Sequence, residues 1–219
     1  MDATRGSVRR DVSARGTGWA RGMAAALARA GVRPNTISLL SVLFAAASGL
    51  CLTRVAGLSG GLRAVPLVGA VVLMQLRLLC NLFDGMVAVE GGAKTKSGEI
   101  FNDFPDRISD PVILVCAGYA IRDVPMGIEL GWLAGLLAVM TAYARTLAGA
   151  SGAPQLFLGP MAKQHRMAVL SAVLLIAAVV SPWGTDRRVI ASGLAVIALG
   201  ALITTGRRAA AAVRDLEEM

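Results

Sequence analysis

The feature that most limits what this chain can fold into is a repeated one: apolar runs of roughly 20 residues recur along most of its length, separated by clusters of charge. Twenty helical residues rise about 30 Å, which is the thickness of a bilayer's hydrocarbon layer. Backbone groups in hydrocarbon must satisfy one another, so the runs predict an all-α, polytopic membrane protein. Composition agrees, with 55% hydrophobic residues, 16% charged residues and a mean hydropathy of +0.64, well above the globular average. The net charge of +8 does not signal nucleic acid, because the arginines flank apolar runs and form no basic stripe interleaved with aromatics. Cys51, Cys80 and Cys116 are scattered within apolar runs, without the spacing of a disulfide framework or a zinc site, and read as small membrane-helix residues. The basic start of the chain (Arg5, Arg9, Arg10, Arg15) lacks the apolar core of a cleavable signal.

Residues 16–31 set Trp19, Met23 and Leu27 apart from Arg21 and Arg29, which suits a helix lying at the membrane surface. Pro34 and Asn35 sit where a helix begins, and Ile37 to Thr53 is the first expected crossing. Five more are expected at about Leu62–Val89, Gly98–Ile121, Met126–Leu147, Arg166–Val180 and Arg188–Thr205, before a tail with Arg207, Arg208 and Arg214. The division is therefore residues 1–33 as a cytoplasmic segment with an interfacial helix, 34–206 as a six-helix membrane domain, and 207–219 as a cytoplasmic tail. With the amino terminus inside, seven N-terminal arginines, Lys94, Lys96, Arg145, Lys163, Arg166 and the tail arginines fall on the cytoplasmic side. Arg54, Arg63, Arg122, Arg187 and Arg188 fall outside. That asymmetry predicts a multi-pass protein of the inner (plasma) membrane with both termini cytoplasmic.

The residues that hydrocarbon should exclude carry the functional signal. The second crossing holds Gln75, Arg77, Asn81 and Asp84; steps of three and four put Arg77, Asn81, Asp84, Gly85 and Ala88 on one face. The third repeats the pattern with Asn102, Asp106, Ser109 and Asp110, and Glu99 and Asp103 lie near that face. Buried charges cost several kcal/mol each unless paired, hydrated or metal-bound, so the two stripes should face one another across a polar cavity. Oxygen donors without a histidine or thiolate cluster suit Mg²⁺ or Mn²⁺. Gly85, Ala88 and Gly98 give small surfaces for a phosphorylated ligand, or for helix packing. Lys163, His165 and Arg166 precede the fifth crossing, placed to hold phosphate or simply to mark the inner side. Either asparagine alone reads equally as an interhelical hydrogen bond, and Arg77 as a salt bridge to Asp84 or another acid.

This paired-helix pattern resembles the signature of the CDP-alcohol phosphotransferases, D-x2-D-G-x2-A-R-x8-G-x3-D-x3-D. Without a gap, the positions here read Asn81, Asp84, Gly85, Ala88, Val89, Gly98, Asn102 and Asp106. The spacing is complete, whereas two aspartates have become asparagine and the signature arginine is Val89. The resemblance implies one or two Mg²⁺ or Mn²⁺ ions held by Asn81, Asp84, Asn102 and Asp106; Asp110, one turn beyond Asp106, or Asp103, beside Asn102 but pointing about 100 degrees away from it on an ideal helix, is placed to restore charge, with Asp110 favoured. Gly85, Ala88, Gly98, Lys163 and Arg166 are the candidates to surround the substrates, with Arg145 placed to reach a headgroup phosphate or, equally, to anchor the helix at the interface; the resemblance implies that Asp106 deprotonates the attacking alcohol. The implied partners are a CDP-linked lipid or alcohol, an alcohol acceptor, membrane lipids and a second copy of the chain, and no nucleic acid. The implied reaction moves a substituted phosphate from the CDP-linked donor to the acceptor, with release of CMP, in phospholipid biosynthesis. Two other readings stand beside it: a noncatalytic family member that binds nucleotide or lipid, and a small ion-coupled transporter.

Overall fold

The computed structural model describes residues 17–90, 98–155 and 157–219, and of Glu90, Glu99 and Asn102 it describes the backbone. Arg5, Arg9, Arg10, Arg15, Lys94 and Lys96 lie outside the described residues. Among those described, the secondary structure is helical: α1 (Gly18–Arg29), α2 (Pro34–Val55), α3 (Ala64–Glu90), α4 (Gly98–Ala120), α5 (Gly127–Ala150), α6 (Lys163–Val180) and α7 (Asp186–Glu217). Short 3₁₀ turns precede α3 at Gly60–Arg63 and follow α6 at Ser181–Trp183.

Five helices are long and apolar enough to cross a membrane, namely α2, α3, α5, α6 and α7. The sixth expected crossing, α4, is 23 residues long, about 35 Å of helix and enough to span. It falls short on composition because Asp103, Asp106, Arg107 and Asp110 crowd its first half. Its neighbours explain how such a helix is accommodated: α4 packs between α2 and α5, and Asp106, Ser109 and Asp110 are buried with Ile113, Leu114 and Ala117. The last helix also differs from expectation. It runs unbroken through Arg207 and Arg208 to Glu217, because the alanines at 209–212 are strong helix formers and the two arginines do not interrupt it.

Small residues set the helix spacing, as they do where lipid gives no hydrophobic drive for association. Gly118 of α4 lies against Gly131 of α5 so closely that a Cβ on Gly131 would sit 2.8 Å from the Gly118 Cα. No side chain fits there without separating the helices. In the segment before α6, Gly159 takes φ +107° and presses on Thr204 of α7, whose hydroxyl accepts from the Met161 N–H at 3.0 Å. A second apolar cluster joins α1 to the far half of α3 through Ala20, Ala24, Cys80, Met86 and Val87, with Trp19 edge-on to Phe83 at 6.0 Å.

Antiparallel neighbours sort the polar residues into two ends. At one end, Arg63 and Asp186 are both buried, with Nη1 3.0 Å from Oδ2 and Nη2 donating to the Ala120 carbonyl at 3.3 Å. This contact ties the start of α3 to the end of α4 and the first turn of α7, where the helix dipole favours a carboxylate. Removing one member of a buried ion pair strands the other, a cost of about 3–5 kcal/mol. Asp186→Ala is therefore expected to lower the thermal unfolding midpoint of the detergent-purified protein by several degrees; an unchanged midpoint would show the pair to be idle.

Candidate active site

The other end gathers the C-terminal half of α3 and the N-terminal halves of α2, α4 and α6. Although consecutive, α3 and α4 scarcely approach by backbone, each packing instead on α2, and long polar side chains bridge the gap. The Arg77 Nη2 donates to Asp106 Oδ1 at 2.7 Å and sits 2.6 Å from Asp110 Oδ1, a charge contact without an aligned hydrogen bond. One turn on, Asn81 Nδ2 donates to the same Asp106 oxygen at 2.8 Å. The two stripes thus face each other, but Arg77 pairs across the gap with α4 and not with Asp84 on its own helix.

From α6 come two more cations, on one face by a step of three. Lys163 Nζ donates to Asp106 Oδ2, and Arg166 Nη2 donates to Asp110 Oδ2 at 2.6 Å. Arg166 is also directed at the Thr141 hydroxyl and the Met161 carbonyl, at 3.4 and 3.3 Å. Expected either to hold phosphate or to mark the inner side, both here pair with buried carboxylates, which need counter-charge. Arg166 is fully buried, while Lys163 keeps 27% of its side chain exposed and stands at the mouth.

Asp110, expected to help hold a cation, is enclosed by two guanidiniums and has no oxygen free of them. Among the described residues, no three Asp, Glu, His or Cys side chains group as a metal cage. Asp84 is different. It is buried, and among the described residues its oxygens accept hydrogen bonds from neutral donors, the Ser38 hydroxyl at 2.7 Å and the Gly85 N–H. A buried carboxylate without a cation is costly, so Asp84, with the amide oxygen of Asn81 nearby on the same face, is the place where an added oxygen-seeking cation gains most.

Other expected residues lie farther out. Gly85, Ala88 and Gly98 are half-buried along the rim, and Val89, at the signature arginine position, is 50% exposed. The Asn102 side chain lies outside the described part. Arg145 reaches Asp103 at 3.1 Å, lies 5.2 Å over the Phe157 ring, and shares Asp103 with Arg107. The sequence reading missed Ser38 and Thr141. Ser38, Ser41 and Ser48 make a buried polar line on α2, and that line was the available signal for Ser38.

Comparison with known proteins gives the fold a precedent. No protein-family model matches this chain, and no curated protein matches it. Among solved structures it is similar to phosphatidylinositol phosphate synthase of Mycobacterium tuberculosis. The form in complex with manganese and citrate has a TM-score of 0.74 at 20% identity, with 88% of each chain covered. The form with CDP-DAG bound gives 0.74 at 21%, covering 88% of this chain and 92% of that one. The apo form gives 0.68 at 21%, with 85% and 92% covered. At that identity what is shared is the polytopic helical fold.

Proposed function

We propose that this chain is a CDP-alcohol phosphotransferase-like enzyme of the inner (plasma) membrane, its site at the cytoplasmic face. It moves a substituted phosphate from a CDP-linked lipid or alcohol to an alcohol acceptor and releases CMP. The observation that carries the reading is Asp84: a buried carboxylate with no ion pair among the described residues, in signature spacing with Asp106, on the helix pair that forms the polar gap. The shared fold supports it, since the solved synthase of that fold holds CDP-DAG in one structure and manganese with citrate in another. The resemblance also implies a homodimer, and the positive-inside asymmetry implies cytoplasmic termini.

The residues present fit one divalent ion, Mg²⁺ or Mn²⁺, bound by Asp84 with amide oxygen from Asn81. When bound, it neutralises charge on the donor's phosphate oxygens. The chain's own groups do the rest. Arg77, Arg166 and Lys163 make a cationic wall beside the carboxylates, and Lys163, at the mouth, is the one able to swing toward an arriving phosphate. Its withdrawal uncovers Asp106 Oδ2, which then takes the proton of the acceptor hydroxyl. The alcohol oxygen attacks the phosphorus that bears the lipid or alcohol, the bond from that phosphorus to the bridging oxygen breaks, and CMP leaves with the electron pair.

The deciding experiment follows CMP release by purified protein in lipid with Mg²⁺ or Mn²⁺, across CDP-linked lipids and alcohols paired with a panel of acceptors. Metal-dependent release that is abolished by chelation is the expected result. Donor binding with no release from any pair would move the assignment to a noncatalytic binder, the reading favoured by the cations already seated on Asp106 and Asp110.

A further inference from the structure

We infer that Arg77 is a resident cation of this site: its guanidinium holds the place between Asp106 and Asp110 that a divalent ion would otherwise fill, so the chain takes up one divalent ion, at Asp84, and no second. Asp106 and Asp110 lie one turn apart on the same face of α4, and both are buried. Two such carboxylates repel unless a cation lies between them. Arg77 Nη2 does so, at 2.7 and 2.6 Å, on a side chain with no exposed surface. The outward oxygens of the pair belong to Lys163 and Arg166. A metal ion entering there would have to strand the Arg77 charge in the interior, which costs several kcal/mol.

Asn81 belongs to the same device. Its amide nitrogen donates to the oxygen of Asp106 that Arg77 also holds, which an aspartate at 81 could not do. Arginine at 77 and asparagine at 81 therefore act together, one supplying positive charge and the other removing a negative one. At this end of the bundle the buried aspartates Asp84, Asp106 and Asp110 are matched in number by Arg77, Lys163 and Arg166. The inference rests on the transferase reading for its ligand, a diphosphate diester with two negative charges. One divalent ion balances that ligand, and a second would leave uncompensated positive charge in a buried site. Arg77 Nε and Nη1 have no partner among the described residues and give the guanidinium spare N–H groups of the geometry that phosphate oxygens accept.

The test counts Mn²⁺ bound per chain by electron paramagnetic resonance, in detergent and without substrate. The wild type is expected to bind one ion, Arg77→Met two, and Arg77→Lys, which keeps the charge, one. The ion gained in Arg77→Met should vanish in Arg77→Met/Asp110→Asn. Two ions or none on the wild type, or no gain in an Arg77→Met protein that keeps its helical circular dichroism and monodisperse elution, overturns the inference. If Arg77→Met does not fold, the wild-type count decides alone. Because counting needs no turnover, the expected counts without CMP release would sink only the transferase reading, whereas CMP release from a protein that binds two ions would sink only this one.

Discussion

Replacing Asp84 with alanine should lower metal-dependent CMP release by about 10³-fold or more, corresponding to about 4 kcal/mol of lost transition-state stabilisation. The protein should nevertheless remain folded. Asp84 makes no ion pair among the described residues, so its removal strands no buried cation; the Ser38 hydroxyl loses an acceptor, a change of about 1 kcal/mol. The contrast with Asp186, whose loss strands Arg63, separates a carboxylate kept for chemistry from one kept for structure. Thermal unfolding and initial-rate measurements on the two alanine variants should therefore rank them oppositely. If Asp84→Ala retained turnover within tenfold of wild type, it would not be the ion's ligand.

Asp106→Asn is the second large effect, expected to lower kcat by about 10²–10⁴-fold, the range for losing a general base. Asparagine keeps the shape and still accepts from Arg77 through its amide oxygen, so the helix pair should hold. Donor affinity, read from KM or from direct binding of the CDP-linked lipid, should change far less than kcat. A variant with full activity would remove Asp106 as the base and leave the acceptor proton to another group.

Most of the architecture was legible because hydrocarbon imposes a length: a run such as Ile37–Thr53 has few ways to fold other than α2. The end of α7 was not legible: the helix runs on past the expected crossing, through the charged tail. Arg207 and Arg208 resemble the charges that mark the border of a membrane, yet Arg208 turns back to donate to the Leu158 and Thr141 carbonyls, and the helix continues. The two polar stripes were legible from helical periodicity. Their pairing was not, because α3 and α4 are joined by residues whose sequence does not fix which rung of one stripe meets which rung of the other. The inward roles of Lys163 and Arg166 depend on α6, more than fifty residues beyond Asp106 and Asp110, and a chain of cationic side chains ahead of an apolar run looks the same whether it faces lipid headgroups or buried acids.

The buried contact between Arg63 and Asp186 has a consequence for biogenesis. Arg63 enters the translocation machinery at the start of α3, and its counter-charge is synthesised more than half the chain later, at the first turn of α7. A nascent protein that already holds α2 to α6 thus carries Arg63 without Asp186, its buried ion-pair partner. Insertion of α7 supplies that partner, so a helix made late completes an ion pair begun at the start of α3. A chain truncated before Asp186 leaves the Arg63 guanidinium without the carboxylate that offsets its burial.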